Sequence, residues 1–395
     1  MERGVGKMRR VILIVLDSMG IGALPDATEF GDDGADTFGH IYNQCGLHIP
    51  NLLSLGIGKI PGVGFSTPAT TCIGCYGKAD EITKAKDTIS GHWEMAGYIM
   101  ERPFRTYTAF PDEIITKVES AIGRKCIGNV KASGTEIIHA LGDEHAKAGN
   151  PIVYTSADSV FQVAAHENIL GLEELYRICG ICRELLTEDY GVGRVVARPY
   201  VGVSGGYTRT KNRRDYATQP QGDTILDVID AKGDGVYAIG KIGDIFCHRG
   251  IAQGNHTTNN AESLNAIIDI LDHEKFSLVF ANLIDMDMLY GHRNDKAGYA
   301  KSIEQFDIAL GVILGKLRQD DVLIVTADHG CDPAIPGTDH TREYIPILLY
   351  SKNLKQNVNL GIRRSFADIG ATVMEYLEIS PWSVGESFLP MCINR

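Results

Sequence analysis

Three segments far apart in the chain hold most of the residues able to do chemistry. Thr326-Ala-Asp-His-Gly-Cys-Asp-Pro333, followed by Gly337-Thr-Asp-His-Thr-Arg-Glu343, sets Asp328 beside His329 and places His340 eleven residues later. Asp285-Met-Asp-Met-Leu-Tyr-Gly-His292 adds the imidazole of His292 and a carboxylate, from either Asp285 or Asp287. Asp17 follows the apolar run Val11–Leu16. Oxygen and nitrogen donors in this mixture suit Mn²⁺ or Zn²⁺. About six donors from three places are enough for two ions with open positions, and two ions suit phosphoryl transfer, because one activates the attacking oxygen while the other neutralises the phosphate. Any one of these residues could simply cap a helix or fill a core. Their joint position at the ends of apolar runs is what favours a metal centre.

A nucleophile is expected in Lys84-Ala-Lys-Asp-Thr-Ile-Ser-Gly-His-Trp-Glu-Met95, where small polar residues precede a helix start. Free backbone N–H groups at a helix N-terminus stabilise an anion, including a phosphorylated hydroxyl. Thr88 and Ser90 both qualify, each could instead be a helix cap, and spacing does not choose between them.

The elements needed to position these groups are visible as buried runs. Val11–Leu16, Ser277–Leu283, Asp321–Ala327 and Ile345–Tyr350 read as strands, separated by helical patterns near 261–272, 298–318 and 366–377. This alternation predicts an α/β fold with an open, mostly parallel sheet flanked by helices. Ligands of such sheets bind beyond the carboxyl ends of the strands, where Asp17, Asp285/Asp287 and Asp328 fall. The stretch 103–218 reads differently: helices at Ser133–Lys147 and Gly171–Leu186, strands at Pro151–Thr155 and Arg194–Tyr200, then a basic polar loop at Tyr207–Tyr216. It predicts an inserted α+β domain, leaving 1–102 and 219–395 as the metal-binding core domain.

At 395 residues the chain is long enough for two domains, and 44% hydrophobic with 22% charged residues describes a globular protein. A net charge of -12 disfavours nucleic acid and anionic membranes as partners, so a phosphate-bearing substrate needs a local basic patch. The basic start Met1–Arg10 and the apolar run after it resemble a signal peptide. That run is short and ends on Asp17 without a small-residue cleavage site. Nor does any segment reach the ~18 apolar residues of a membrane span; a cytoplasmic protein is expected. Nine cysteines, an odd number, do not suggest a disulfide framework. Cys72/Cys75 and Cys179/Cys182 have C-x-x-C spacing and could form a four-thiolate zinc site, but the second pair lies mid-helix, which favours buried thiols.

These segments resemble the alkaline phosphatase superfamily and, within it, the phosphopentomutase family. The likeness runs through nearly the whole chain, in Leu16-Asp-Ser-Met-Gly-Ile-Gly22, Lys86-Asp-Thr-Ile-Ser-Gly-His-Trp-Glu94, Ala132-Ser-Gly-Thr-Glu-Ile137, Tyr154-Thr-Ser-Ala-Asp-Ser159, Gly193-Arg-Val-Val-Ala-Arg-Pro199 and Pro336-Gly-Thr-Asp-His-Thr-Arg-Glu343. The metal-type residues mark the superfamily; the Gly-His-Trp-Glu and Thr-Asp-His-Thr-Arg-Glu runs are narrower. The resemblance implies an alkaline-phosphatase-like fold whose inserted domain is a cap over a sugar phosphate. It makes Thr88 the phosphorylated nucleophile and a ligand, with Asp17, Asp328 and His329, of a first Mn²⁺. Asp287, His292 and His340 would hold a second, leaving Asp285 as a strand-end hydrogen-bonding residue. Ser156, Asp158, Arg194, Lys241 and, less directly, Arg209 would contact substrate; Arg213 and Arg214 read as solvated surface. The implied partners are small pentose phosphates, interconverted between the 1- and 5-phosphates of ribose and deoxyribose, with a sugar bisphosphate activator. Rival readings are a phosphatase or phosphodiesterase of the same superfamily, a phosphoglycerate mutase, whose usual nucleophile is serine, and a non-catalytic metal-stabilised binding protein. Two departures from the family pattern are Cys331, where asparagine is more familiar, and the C-x-x-C of Cys72 and Cys75.

Overall fold

The computed structural model describes residues 9–65, 71–156, 159–187, 190–273 and 275–393. Asp158 and the basic start before Arg9 lie outside them. The chain divides into two compact units, Met1–Glu101 with Pro220–Arg395, and Arg102–Gln219.

The first unit is an α/β layer structure around an eight-stranded sheet. The strands follow in space as Gln253–Asn255, Val236–Ile239, Leu278–Leu283, Arg10–Leu16, Asp321–Thr326, Ile345–Tyr350, Cys75–Ala79 and Val358–Arg363. Val11 to Leu16 are all fully buried, as are most residues of the two strands beside them. Helices over both faces of a parallel sheet produce such continuous apolar runs. At the amino end of the first strand the buried Arg10 guanidinium is satisfied by Asp321 and by the carbonyls of Ile270, Leu271 and His273.

The sheet is parallel except at Ile345–Tyr350, which runs antiparallel to both neighbours. Parallel pairing requires a crossover, usually a helix. Between Thr326 and Ile345 the chain carries no helix or long strand, so it returns in the opposite direction. The amino end of this strand therefore meets the carboxyl ends of the others, and segment 328–343 stays at that edge.

The Arg102–Gln219 unit holds a six-stranded mixed sheet. Helices Asp112–Ile122 and Leu172–Leu185 pack on one face, around Val153, Phe161, Val163 and Val195. Helix Gly134–Ala148 covers part of the other, through Ile137 and Ile138 against Tyr154, Ala164 and Tyr200. Part of the expected loop at 207–216 is in fact paired: Thr208–Arg209 and Arg214–Ala217 both run antiparallel to Arg194–Val201. Its polar composition is that of a sheet edge facing water. Cys179 and Cys182 are buried in the apolar core, and Cys72 and Cys75 belong to the other unit. None of the four belongs to a metal-capable group among the described residues. Among those residues no helix is long and apolar enough to cross a membrane.

Candidate active site

One sheet edge collects the chemistry. Asp17 directly follows the Arg10–Leu16 strand, and Asp328 and His329 lie just beyond Asp321–Thr326. Asp287 sits in a π-type turn, Met286–Tyr290, after Leu278–Leu283, and His292 in the 3₁₀ turn Gly291–Arg293 that follows. A single wide turn of this kind re-aims side chains and recurs at functional sites. The Cys75–Ala79 strand leads through 80–87 to Thr88, the first residue of helix Thr88–Met95.

Two donor clusters result. In the first, His329 Nε2 is 3.4 Å from Asp17 Oδ1, 3.5 Å from Asp328 Oδ2 and 3.2 Å from Thr88 Oγ1. In the second, Asp287 Oδ1 is 3.3 Å from His292 Nε2 and 3.2 Å from His340 Nε2, and these two nitrogens are 3.2 Å apart. The rings of His329 and His340 are 4.0 Å apart, so the clusters adjoin. Asp17, Asp328 and His329 form one metal-capable group, and Asp287, His329 and His340 another.

The donor chemistry fits metal ions. Asp17 Oδ1, Asp287 Oδ1 and Asp328 Oδ2 are buried and accept no hydrogen bond among the described residues. His329 and His292 each turn Nδ1 to a backbone carbonyl, Gly330 O at 3.0 Å and Thr338 O at 2.7 Å. With Nδ1–H donating there, each Nε2 presents a bare lone pair to a carboxylate oxygen. Lone pairs facing one another at this range require a proton or a cation between them, and ligating histidines commonly fix their far nitrogen in this way. The electrostatics agree. Burial, then Asp328 and Asp287, push the Asp17 carboxyl above its ordinary range. Burial opposes ionisation of Asp287 too, but His292 and His340 outweigh it and hold Asp287 low. His292 is pushed up to about 11, chiefly by Asp287. A concentration of negative potential at one buried point favours a multivalent cation there.

Cys331 Sγ is 4.0 Å from His292 Nδ1, the nitrogen that already donates to Thr338 O. Asp287, His292 and Cys331 form a possible metal group by distance. The thiol nonetheless lies on the wrong side of the ring to share an ion with Nε2.

Thr88 and Ser90 differ in what they touch. Asp87 caps the helix by accepting from Ile89 N and Ser90 N, and Ser90 completes a capping box from a fully buried position. Ser90 Oγ donates to Asp87 O at 2.8 Å. The Thr88 hydroxyl faces His329. Asp285 exchanges hydrogen bonds with Asn260, Asn260 N donating to Asp285 Oδ2 and Asp285 N to Asn260 Oδ1, both at 3.0 Å. Its other oxygen has no partner among the described residues, yet it belongs to no metal-capable group.

Several supporting residues carry no signal that spacing could reveal. Asn282 donates Nδ2–H to Asp17 Oδ2 at 3.1 Å, and the same nitrogen lies 3.2 Å from His92 Nε2. His92 Nδ1 is 2.8 Å from Thr88 O and 3.2 Å from Asp328 Oδ2. Ser18 N donates to Asp328 Oδ1. His92 and Glu94 fall in the Gly-His-Trp-Glu run, the one hint available. Glu94 accepts from Ile82 N and Thr83 N, holding the segment that leads to Thr88. Glu343, fully buried, accepts from Thr37, Thr341 and Gly22 N; burial first of all pushes its carboxyl up to about 7.

Arg342 grips the same segment from the other side. Its guanidinium, 1% exposed, donates to Glu81, to the carbonyls of Glu81, Thr83 and Ala85, and to Asp26. A lysine has too few donors and no planar fork for this set. Arg342→Lys is expected to cost about 3–5 kcal/mol of unfolding free energy, because buried Glu81 and three carbonyls lose partners. Denaturant unfolding measures this; a loss below about 1 kcal/mol would show that the contacts are dispensable.

The expected substrate contacts are placed as follows. By strand register Ser156 lies at the edge where Arg194 begins its strand, and Arg209 pairs with Tyr200 farther along it. Arg194 Nη1 is 3.7 Å from Asp215 Oδ2. Lys241 belongs to the other unit, just before the Ile242–Ile245 turn. Arg213 forms a two-pronged ion pair with Asp215, and Arg214 lies over the Tyr176 ring.

Comparison with known proteins gives the class. The Metalloenzyme superfamily profile matches residues 9–381, and the chain belongs to that superfamily, with its alkaline-phosphatase-like α/β fold and divalent-metal chemistry. The PH0037 protein of Pyrococcus horikoshii has a similar fold, with a TM-score of 0.51 at 15% identity over 96% of this chain and 99% of that one. Phosphopentomutase of Caldanaerobacter subterraneus subsp. tengcongensis is 53% identical over 383 residues, 97% of this chain and 98% of that protein. That of Acetivibrio thermocellus is 51% identical over 384 residues, 97% of this chain and 99% of that protein. The chain belongs to the phosphopentomutase family and is an enzyme, an isomerase.

Proposed function

We propose that the enzyme interconverts ribose 1-phosphate and ribose 5-phosphate, and the deoxyribose pair, by way of phospho-Thr88 and a 1,5-bisphosphate. The observation that carries this reading is the Thr88 hydroxyl, 3.2 Å from His329 Nε2 beside two buried carboxylates with unpaired oxygens. Asp17, Asp328, His329 and Thr88 would hold one Mn²⁺ and Asp287, His292 and His340 the other. The ions would supply charge neutralisation of the phosphoryl group and lower the pKa of the attacking oxygen.

In this reading the phosphoryl group leaves Thr88 Oγ1 for the free hydroxyl of the incoming monophosphate. The hydroxyl proton passes to a base, and Thr88 is left as the alkoxide or alcohol. The bisphosphate turns over, and Thr88 Oγ1 attacks its other phosphorus, so that the sugar oxygen departs and takes up a proton. The positive end of the dipole of helix Thr88–Met95 would support the anion on Thr88, the helix's first residue. A sugar bisphosphate activator would phosphorylate Thr88 for the first turnover. Ser156, Asp158, Arg194, Arg209 and Lys241 would bind the sugar phosphate, arginine and lysine taking phosphate and serine and aspartate taking ribose hydroxyls. The Arg102–Gln219 unit would act as the cap that excludes water, since hydrolysis of phospho-Thr88 is wasteful. A cytoplasmic enzyme with free thiols is consistent with this role.

The test is an assay with ribose 5-phosphate, Mn²⁺ and a trace of bisphosphate, following isomerised product and inorganic phosphate together. Isomerisation should exceed phosphate release by at least about 100-fold, as water exclusion requires. Phosphate release as the main outcome would make the enzyme a hydrolase and defeat the reading.

A further inference from the structure

His92 and Asn282 are fully buried polar side chains to which the phosphoryl transfer above gives no task. Asn282 is the one polar residue in the strand Leu278-Val-Phe-Ala-Asn-Leu283. Strand alternation sets it on the same face as Phe280, two residues earlier. The His92 ring lies over that face, stacked on Phe280 with ring centroids 5.9 Å apart. Polar groups inside an apolar layer are unfavourable unless hydrogen bonds match them, and here the bonds run to the first donor cluster. Neither residue belongs to a metal-capable group among the described residues, so any role toward an ion is exerted through the ligands.

Only one arrangement of protons satisfies these contacts. His92 Nδ1 faces two oxygens, Thr88 O at 2.8 Å and Asp328 Oδ2 at 3.2 Å. A bare Nδ1 would set its lone pair against theirs, so the ring proton is on Nδ1 and Nε2 keeps a lone pair. Asn282 Nδ2 stands 3.1 Å from Asp17 Oδ2 and 3.2 Å from His92 Nε2. Were the amide turned over, its oxygen would face the Asp17 carboxylate. The amide therefore gives one proton to Asp17 and the other to His92. It holds this orientation although Asn282 Oδ1 is left buried with no partner among the described residues. Each link fixes the next: Thr88 O sets the His92 tautomer, the tautomer sets the amide, and the amide occupies Oδ2 of Asp17. What remains is Asp17 Oδ1, unpaired and 3.4 Å from His329 Nε2. Asp328 is prepared alike, its Oδ1 accepting from Ser18 N and His329 N while Oδ2 accepts no hydrogen bond.

We propose that His92 and Asn282 are positioning residues for the first metal ion. They hold Asp17 so that Oδ1 alone is offered to the ion, and they tie that carboxylate to the helical turn that carries Thr88. The inference rests on the metal reading of the Asp17, Asp328 and His329 cluster, not on the choice of substrate. Hydrogen-bond partners behind metal ligands commonly govern affinity by about 10–100-fold, because they fix which lone pairs point at the ion.

Titrating the full-length, metal-free protein with Mn²⁺, and counting free ion by its electron paramagnetic resonance, tests this without any substrate. Wild type should show two classes of site per chain. His92→Asn and Asn282→Leu should each weaken one class about tenfold or more and leave the other unchanged. The unchanged class shows that the variant is folded, and a merely structural role would not spare it. Either single variant carries the test if the other fails to fold. The double variant should bind no more weakly than the worse single, because both break one chain of hydrogen bonds. Unchanged affinity in the variants, or a loss spread over both classes, overturns the proposal; effects that multiply in the double variant overturn the chain that links the two residues. Absence of Mn²⁺ binding in wild type defeats the metal reading and the proposal with it. Phosphate release in place of isomerisation, with the class-selective losses intact, defeats the mutase reading and leaves the proposal standing.

Discussion

Replacing Thr88 with alanine is expected to abolish isomerisation, with kcat falling by roughly 10⁴-fold or more, the scale on which enzymes lose activity with their nucleophile. The fold should survive. The start of the helix is capped by Asp87 and Ser90, so the Thr88 side chain is not among the groups that hold it. Metal content should also be retained, because Asp17, Asp328 and His329 remain. Ser90→Ala is the contrasting variant. It removes a member of the capping box and the donor to Asp87 O, which should cost about 1 kcal/mol of stability. Activity, by contrast, should largely persist. Incubation with labelled bisphosphate should label wild type and Ser90→Ala, but not Thr88→Ala. Full activity in Thr88→Ala, or labelling that disappears with Ser90, would move the nucleophile and overturn the mechanism.

How much of this was legible in the sequence follows from what each residue depends on. Asp17 and Asp328 are set by strand ends, and a fully buried parallel strand is among the plainest patterns a sequence carries. Asp285 and Asp287 are two residues apart, and only the π-type turn at Met286–Tyr290 decides which carboxylate faces the histidines. Spacing has no access to that turn. Thr88 against Ser90 has the same character, since both suit a helix start and the capping box separates them. His92, Asn282, Glu343 and Arg342 act through contacts between segments remote in the chain, and their residue types alone point to nothing. The reversed direction of Ile345–Tyr350 could have been read from the missing crossover helix before it. The strands within 208–217 could not, because an edge facing water looks like a loop.

The three buried carboxylates lead to an expectation whose sign depends on metal. Asp17, Asp287 and Asp328 carry unpaired oxygens, and Asp17 is opposed first by its own burial and then by the charges of Asp328 and Asp287. Without a cation this arrangement destabilises the fold, because buried like charges repel in a low dielectric. Asp17→Asn keeps the side chain's size and can still accept from Asn282 Nδ2, while removing the charge. In chelated protein, Asp17→Asn should therefore be more stable than wild type, by about 1–2 kcal/mol. In metal-loaded protein the order should reverse. A bound ion stabilises wild type by RT ln(1 + [L]/Kd), about 4 kcal/mol when the ion is at a thousand times its Kd. The variant forfeits much of that by losing an anionic ligand, and isomerisation should fall with it. Thermal melts of both proteins, with Mn²⁺ and with excess chelator, read the two signs directly. If Asp17→Asn is the less stable protein under both conditions, Asp17 is a structural residue whose charge the fold itself needs, and it should be struck from the metal centre.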